Sequence, residues 1–195
     1  MKSDPRYIAV ISSSIFLVTS NLPAEAQHVT VLHAEGGSGG AHFSAHCGER
    51  GWVMNGLSMR VGSAVDAVQP TCVGVKLLES SGDYKVVQPM RGGRGGGPLS
   101  ISCPSFRYTV RGITVGHGGM GNRVVNTITL ICARPDGSAG PFEAPIVRFT
   151  GRPERNQESR TFMCPKGELA VGIYGRTAAY LGSIGLICAP TPFRG

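Results

Sequence analysis

Apolar and polar residues alternate with a period of two in several stretches of this chain, as in strands that bury one face. The clearest stretch is the last. Leu169, Val171 and Ile173 alternate with Ala170, Gly172 and Tyr174, and after a turn near Arg176-Thr177-Ala178 the residues Ile184, Leu186 and Cys188 alternate with Ser183, Gly185 and Ile187. This pattern predicts a hairpin. Two earlier stretches have the same plan: an apolar segment around a glycine (53 to 57, and 110 to 113), a turn, and a second apolar segment ending in a cysteine. A lone hairpin is marginal in water, so the three must pack their apolar faces together. The predicted architecture is all-β: a three-sided prism with pseudo-threefold symmetry or, failing that, a three-lobed barrel of the trefoil type.

The glycine runs support a true repeat. Gly36-Gly37-Ser38-Gly39-Gly40 precedes Cys47, and Gly92-Gly93-Arg94-Gly95-Gly96 precedes Cys103, each cysteine lying eleven residues after the first glycine. Phe43-Ser44 and Leu99-Ser100 occupy matching positions before those cysteines. A third copy opens at Cys164-Pro165 and has Glu154-Arg155-Asn156-Gln157 in place of the glycine run, so its leading loop should differ in conformation and role. The copies span approximately 36–75, 92–134 and 153–190. Cysteines fall at both ends of each copy, and an even count in an exported chain most simply gives one bridge per copy: Cys47 with Cys72, Cys103 with Cys132, and Cys164 with Cys188. Bridges between copies are the competing arrangement. CxxC spacing of the kind that binds metal is absent.

Composition agrees with short strands joined by turns. The 29 glycines and the low charged fraction of 16% disfavour long helices. Residues 1–26 read as a secretory signal. Lys2 and Arg6 give the basic start, an apolar stretch from Tyr7 to Val18 follows, and Ala24-Glu25-Ala26 is a small-x-small cleavage site, so cleavage is expected before Gln27. The product, 27–195, is expected to be a single secreted or periplasmic domain without an integral membrane segment. Removing the signal takes away two basic and two acidic residues and leaves the net charge of +7 unchanged. A basic surface favours carbohydrate or anionic envelope polymers as partners. Nucleic acid is not expected, because the chain is exported and its basic residues are scattered.

At the level of motifs the chain resembles the jacalin-related lectins. The resemblance lies in the first glycine run, in Gly56-Leu57-Ser58-Met59-Arg60 with Gly62-Ser63-Ala64-Val65-Asp66, and in Val171-Gly172-Ile173-Tyr174-Gly175-Arg176 with Tyr180-Leu181-Gly182-Ser183. The bracketing cysteines and Cys103-Pro104 resemble instead the vitelline membrane outer layer protein 1 family. Both resemblances imply a β-prism with threefold internal symmetry. The lectin resemblance implies a sugar site made by a glycine-rich loop and a GxxxD loop, whose aspartate accepts hydrogen bonds from sugar hydroxyls while backbone N–H groups donate. Asp66 matches that aspartate, with Asn126 and Gly182 at the corresponding positions of the other copies. One site is therefore expected, in the first copy, from Gly36, Gly37, Gly39, Gly40, Gly62 and Asp66. Tyr180 is a candidate stacking platform for a sugar ring. A turn-capping role for Asp66 and an ordinary strand position for Tyr180 are the plainer alternatives.

No catalytic constellation accompanies these residues. There is no GxSxG elbow and no recurring pair of carboxylates, so the chain reads as non-catalytic. The association of the vitelline family with transfer between chito-oligosaccharides has no counterpart among the residues. His42 and His46 can share a strand face, with His33 and His117 elsewhere, but no supporting ligand stands at metal-binding spacing, and no metal or cofactor is expected. Residues 91–97 read as a solvated basic loop whose successive N–H groups could also form an anion nest. Two functions follow: an exported carbohydrate- or envelope-polymer-binding module, and a structural or protein-interaction scaffold.

Overall fold

The computed structural model describes residues 29–48, 51–74, 84–86, 89–105, 107–118, 124–135, 142–143 and 158–190. The expected signal segment and its expected cleavage site lie outside these residues, as does Glu154-Arg155-Asn156-Gln157. Three long antiparallel hairpins dominate: β4 (Trp52–Val61) with β5 (Val65–Gly74), β9 (Thr109–His117) with β10 (Val125–Ala133), and β13 (Glu168–Thr177) with β14 (Leu181–Pro190). Their inner faces meet in one apolar core that includes Leu57, Met59, Ile113, Leu130, Ile173, Leu186 and all six half-cystines. Each large side chain buried there contributes on the order of 2 kcal/mol.

Each hairpin is extended by the strand that leads into the next copy. β8 (Gly97–Ser102) pairs with β4, β12 (Glu158–Met163) with β9, and β3 (Ala41–His46) with β13, which closes the ring from the third copy back to the first. Short strands complete the sheets on the other side. β1 (Thr30–Val31) and β2 (Glu35–Gly36) lie on β14, β6 (Tyr84–Val86) and β7 (Arg91–Gly92) on β5, and β11 (Phe142–Glu143) on β10. The result is a three-sided prism, and the trefoil alternative is not adopted.

The three disulfides pair within copies, Cys47–Cys72, Cys103–Cys132 and Cys164–Cys188. Because each leading strand lies in the neighbouring sheet, every bridge also joins two sheets. A second repeated device stands beside each bridge. Asn55, Arg111 and Val171 are the extra residues of β-bulges in β4, β9 and β13, and their carbonyls accept 2.8 Å hydrogen bonds from the N–H groups of Cys103, Cys164 and Cys47. The glycine after each bulge touches the leading strand. A Cβ on Gly56 would lie 2.3 Å from the Ile101 carbonyl oxygen, one on Gly112 2.6 Å from that of Phe162, and one on Gly172 2.7 Å from that of Ala45.

The bulges also correct the alternation read from the sequence. A bulge adds one residue and so exchanges the two faces of the strand. Ala170 and Ile173 both face the main core, whereas Leu169 and Val171 join a small cluster with Val53 and Val73. The alternation assigned to β13 thus places Leu169 and Val171 on the wrong side.

Candidate functional site

The hairpin tips gather at the end of the prism opposite the disulfides, and a second set of bulges shapes them. Between Val61, which pairs with Val65, and Arg60, which pairs with Ala67, Asp66 is the extra residue. Asn126 and Gly182 occupy the same bulge position in the other hairpins, which bears out the correspondence of these three residues.

Asp66 lies beneath the loop that joins β7 to β8. The Gly93 N–H donates to the Asp66 carbonyl at 2.8 Å. Arg60 clamps the far side of the loop, donating from Nε to the Gly95 carbonyl at 2.7 Å and from its terminal nitrogen to the Gly96 carbonyl at 2.6 Å. Only glycine allows this approach. Gly92 has φ +132°, and a Cβ there would stand 2.2 Å from the Asp66 carbonyl oxygen; a Cβ on Gly95 would stand 2.4 Å from Asp66 Oδ1. The carboxylate residue is consequently only 4% exposed, and its Oδ2 has no hydrogen-bond partner among the described residues. Burial pushes the Asp66 carboxyl above the usual carboxylate range, against the opposing pull of the Arg60 guanidinium and the Gly62 N–H.

This placement corrects the expected site. The loop against Asp66 is the second glycine run, not Gly36, Gly37, Gly39 and Gly40. The first run folds over the third hairpin, where the Gly37 N–H donates to the Gly182 carbonyl at 2.9 Å and Arg176 to the Gly40 carbonyl at 2.9 Å. The reason is topological. A glycine loop precedes the leading strand of its copy, that strand belongs to the neighbouring sheet, and the loop therefore caps the neighbouring hairpin. Residues 91–97 are largely exposed, as expected of a solvated loop, but the anion-nest alternative is corrected, since Gly95 and Gly96 turn their carbonyls toward Arg60 and the loop covers a carboxylate.

Tyr180 belongs to the third tip, where its carbonyl accepts from the Ala178 N–H at 3.0 Å and the Thr177 hydroxyl at 3.2 Å. That tip abuts the loop over Asp66, because a Cβ on Gly93 would fall 2.0 Å from the Ala179 carbonyl oxygen. Asp66, residues 92–96 and the turn bearing Tyr180 thus come together from three copies. At the second tip, Asn126 donates to the Gly118 carbonyl at 2.7 Å and has no carboxylate to offer.

A further polar pair was not found by sequence reasoning. Glu35 on β2 and His117 on β9, 7% and 8% exposed, join across two sheets, His117 Nε2 to Glu35 Oε1 at 2.7 Å. Arg160 Nε stands 3.7 Å from the same oxygen. The residues are 82 positions apart, so only the closure of the prism unites them. On β3 the exposed His42, Ser44 and His46 share the outer face, and Ser44 bonds His46 at 2.8 Å. Among the described residues no three histidine, cysteine, aspartate or glutamate side chains group to hold a metal, and no helix is long and apolar enough to cross a membrane.

Solved structures share this arrangement of three sheets. The fold is that of the jacalin-related lectins. A mannose binding jacalin related lectin from Ananas comosus is 19% identical, with a TM-score of 0.54 over 83% of this chain and 98% of its own. Artocarpin, solved as a complex with mannopentose, is 14% identical, with a TM-score of 0.58 over 84% of this chain and 99% of its own. Calystegia sepium agglutinin is 17% identical, with a TM-score of 0.56 over 85% of this chain and 99% of its own. At these identities the likeness is one of fold. No family model and no curated protein sequence matches the chain.

Proposed function

We propose that the protein is an exported, non-catalytic carbohydrate-binding module whose site lies at the first hairpin tip, between Asp66 and residues 92–96. One observation carries the reading: a nearly buried carboxylate with an unused acceptor, Oδ2, directly beneath a glycine loop at the surface. A saccharide hydroxyl that donates to Oδ2 would satisfy it, and loop N–H groups can donate to neighbouring sugar oxygens. Entry lifts Gly95 and Gly96 and breaks their two bonds to Arg60. The turn bearing Tyr180 abuts the same loop, with the Ala179 carbonyl against Gly93. Structural neighbours solved with glycans support the reading at the level of fold, and three disulfides fit an oxidising compartment.

The test is a glycan-array screen of the oxidised protein beside Asp66→Ala. Binding by the parent that disappears in the variant, with unchanged melting behaviour, is the expected result. Absence of binding to every glycan would overturn the reading in favour of a structural or protein-interaction scaffold.

A further inference from the structure

The third tip retains the glycine loop and its arginine clamp but has lost the carboxylate, since Gly182 stands where Asp66 stands in the first. Beside this loop, on the outer face of the sheet formed by β2, β14, β13 and β3, is an open pocket of about 310 Å³. Its walls carry His33, His42, Arg176, Tyr174, Ser38 and Ser183, and no lining residue bears a carboxylate. Arg176 uses one guanidinium nitrogen on the Gly40 carbonyl, and a guanidinium has five N–H donors. Tyr174 donates its hydroxyl to the Leu32 carbonyl and so presents a fixed ring rather than a free donor. The pocket thus offers a permanent cation, two imidazoles, two hydroxyls and an aromatic wall.

We propose that this pocket is a second binding site and takes a sugar residue bearing an oxyanion, a carboxylate or a sulfate ester, as found in acidic polysaccharides. A volume of about 310 Å³ lies at the small end of ordinary ligand sites. Arg176 receives the oxyanion, as planar guanidinium groups do for carboxylates and sulfates. His33, His42 and the serine hydroxyls bind ring hydroxyls, and Tyr174 packs against the apolar side of the ring. A neutral sugar leaves the guanidinium without its charged partner, so selectivity runs opposite to that of the Asp66 tip. The sugar half of this assignment rests on the carbohydrate reading above; the anion half does not.

The experiment is a calorimetric titration of the oxidised protein with a hexuronate oligosaccharide, a sulfated oligosaccharide, a neutral oligosaccharide of equal length, and inorganic sulfate. In Asp66→Ala, which lacks the sugar site of the first tip, one or both acidic oligosaccharides should bind at least tenfold more tightly than the neutral one and than sulfate, and the arm that binds identifies the anion. Arg176→Gln and the double variant His33→Gln/His42→Gln should each weaken that binding tenfold or more. Lys166→Gln, at the disulfide end, and Asp66→Ala should leave it unchanged. The double variant alters only exposed side chains and guards against loss of loop structure in Arg176→Gln. Equal affinity for acidic and neutral sugars in Asp66→Ala, sulfate binding as tightly as the oligosaccharides, or equal weakening by Lys166→Gln and Arg176→Gln would each overturn the proposal. Loss of acidic-sugar binding in Asp66→Ala would place both ligands at one site and overturn it as well, whereas failure of the Asp66 reading alone would abolish only neutral-sugar binding.

Discussion

The two ends of the prism follow different rules. At the disulfide end one arrangement occurs three times: a cystine joining two sheets, a bulge carbonyl receiving a cysteine N–H, and a glycine pressed against a leading strand. At the tips the backbone again repeats, but the residue in the bulge is Asp66, Asn126 or Gly182. Contacts that hold sheets together tolerate little variation, because close-packed backbone leaves no room for a new atom. The bulge residues at the tips are buried beneath loops and lie outside the apolar core, so they can change without disturbing it. Repeated geometry therefore marks the scaffold, and broken symmetry marks the candidate binding surface.

The largest expected effect challenges the equivalence of the three seams. Replacing both cysteines of one bridge by serine should cost about 3 to 4 kcal/mol on the chain-entropy model. Similar costs are expected at all three, since the bridges span 25, 29 and 24 residues. Chemical denaturation measures this, and a cost at one seam far above the others would show that the ring is not evenly held.

A smaller effect contrasts the two ends directly. Gly56→Ala puts a methyl group 2.3 Å from a backbone oxygen in β8 and should cost about 1 to 3 kcal/mol. Gly39→Ala, in a loop where an added Cβ meets nothing within 4 Å, should change stability by less than about 0.5 kcal/mol. Equal costs in denaturation curves would remove the distinction between scaffold and tip.

The smallest effect has the opposite sign and belongs to Asp66. Burial makes the folded protein hold this proton more tightly than the unfolded chain does. The resulting contribution is most favourable at low pH and declines as pH rises through the unfolded carboxylate value toward the raised folded one. Asp66→Asn should therefore melt slightly above the parent at neutral pH and converge with it in acid. A variant that melts lower at neutral pH would mean that the carboxylate supports the fold rather than a ligand.

Much of this was legible before the structure. The spacing from glycine run to cysteine revealed the repeat, the bracketing cysteines revealed the bridges, and the correspondence of Asp66, Asn126 and Gly182 followed from aligning the copies. The site was legible only in part. Asp66 is visible in the sequence, but the copy that supplies its partner loop is not, because sequence adjacency says nothing about which sheet a leading strand joins. The Glu35–His117 pair left no local signal at all.

The sequence by itself determined the strand period, the threefold repetition and the placement of a cysteine at both ends of each copy, because all three are set by spacing along one chain. Tertiary structure decided which copy caps which hairpin, where the bulges reverse the buried face, and that Asp66 lies under residues 92–96. Those depend on closing the ring: strand pairing and core packing must be satisfied for all three sheets at once, and that condition is nowhere written in a single repeat.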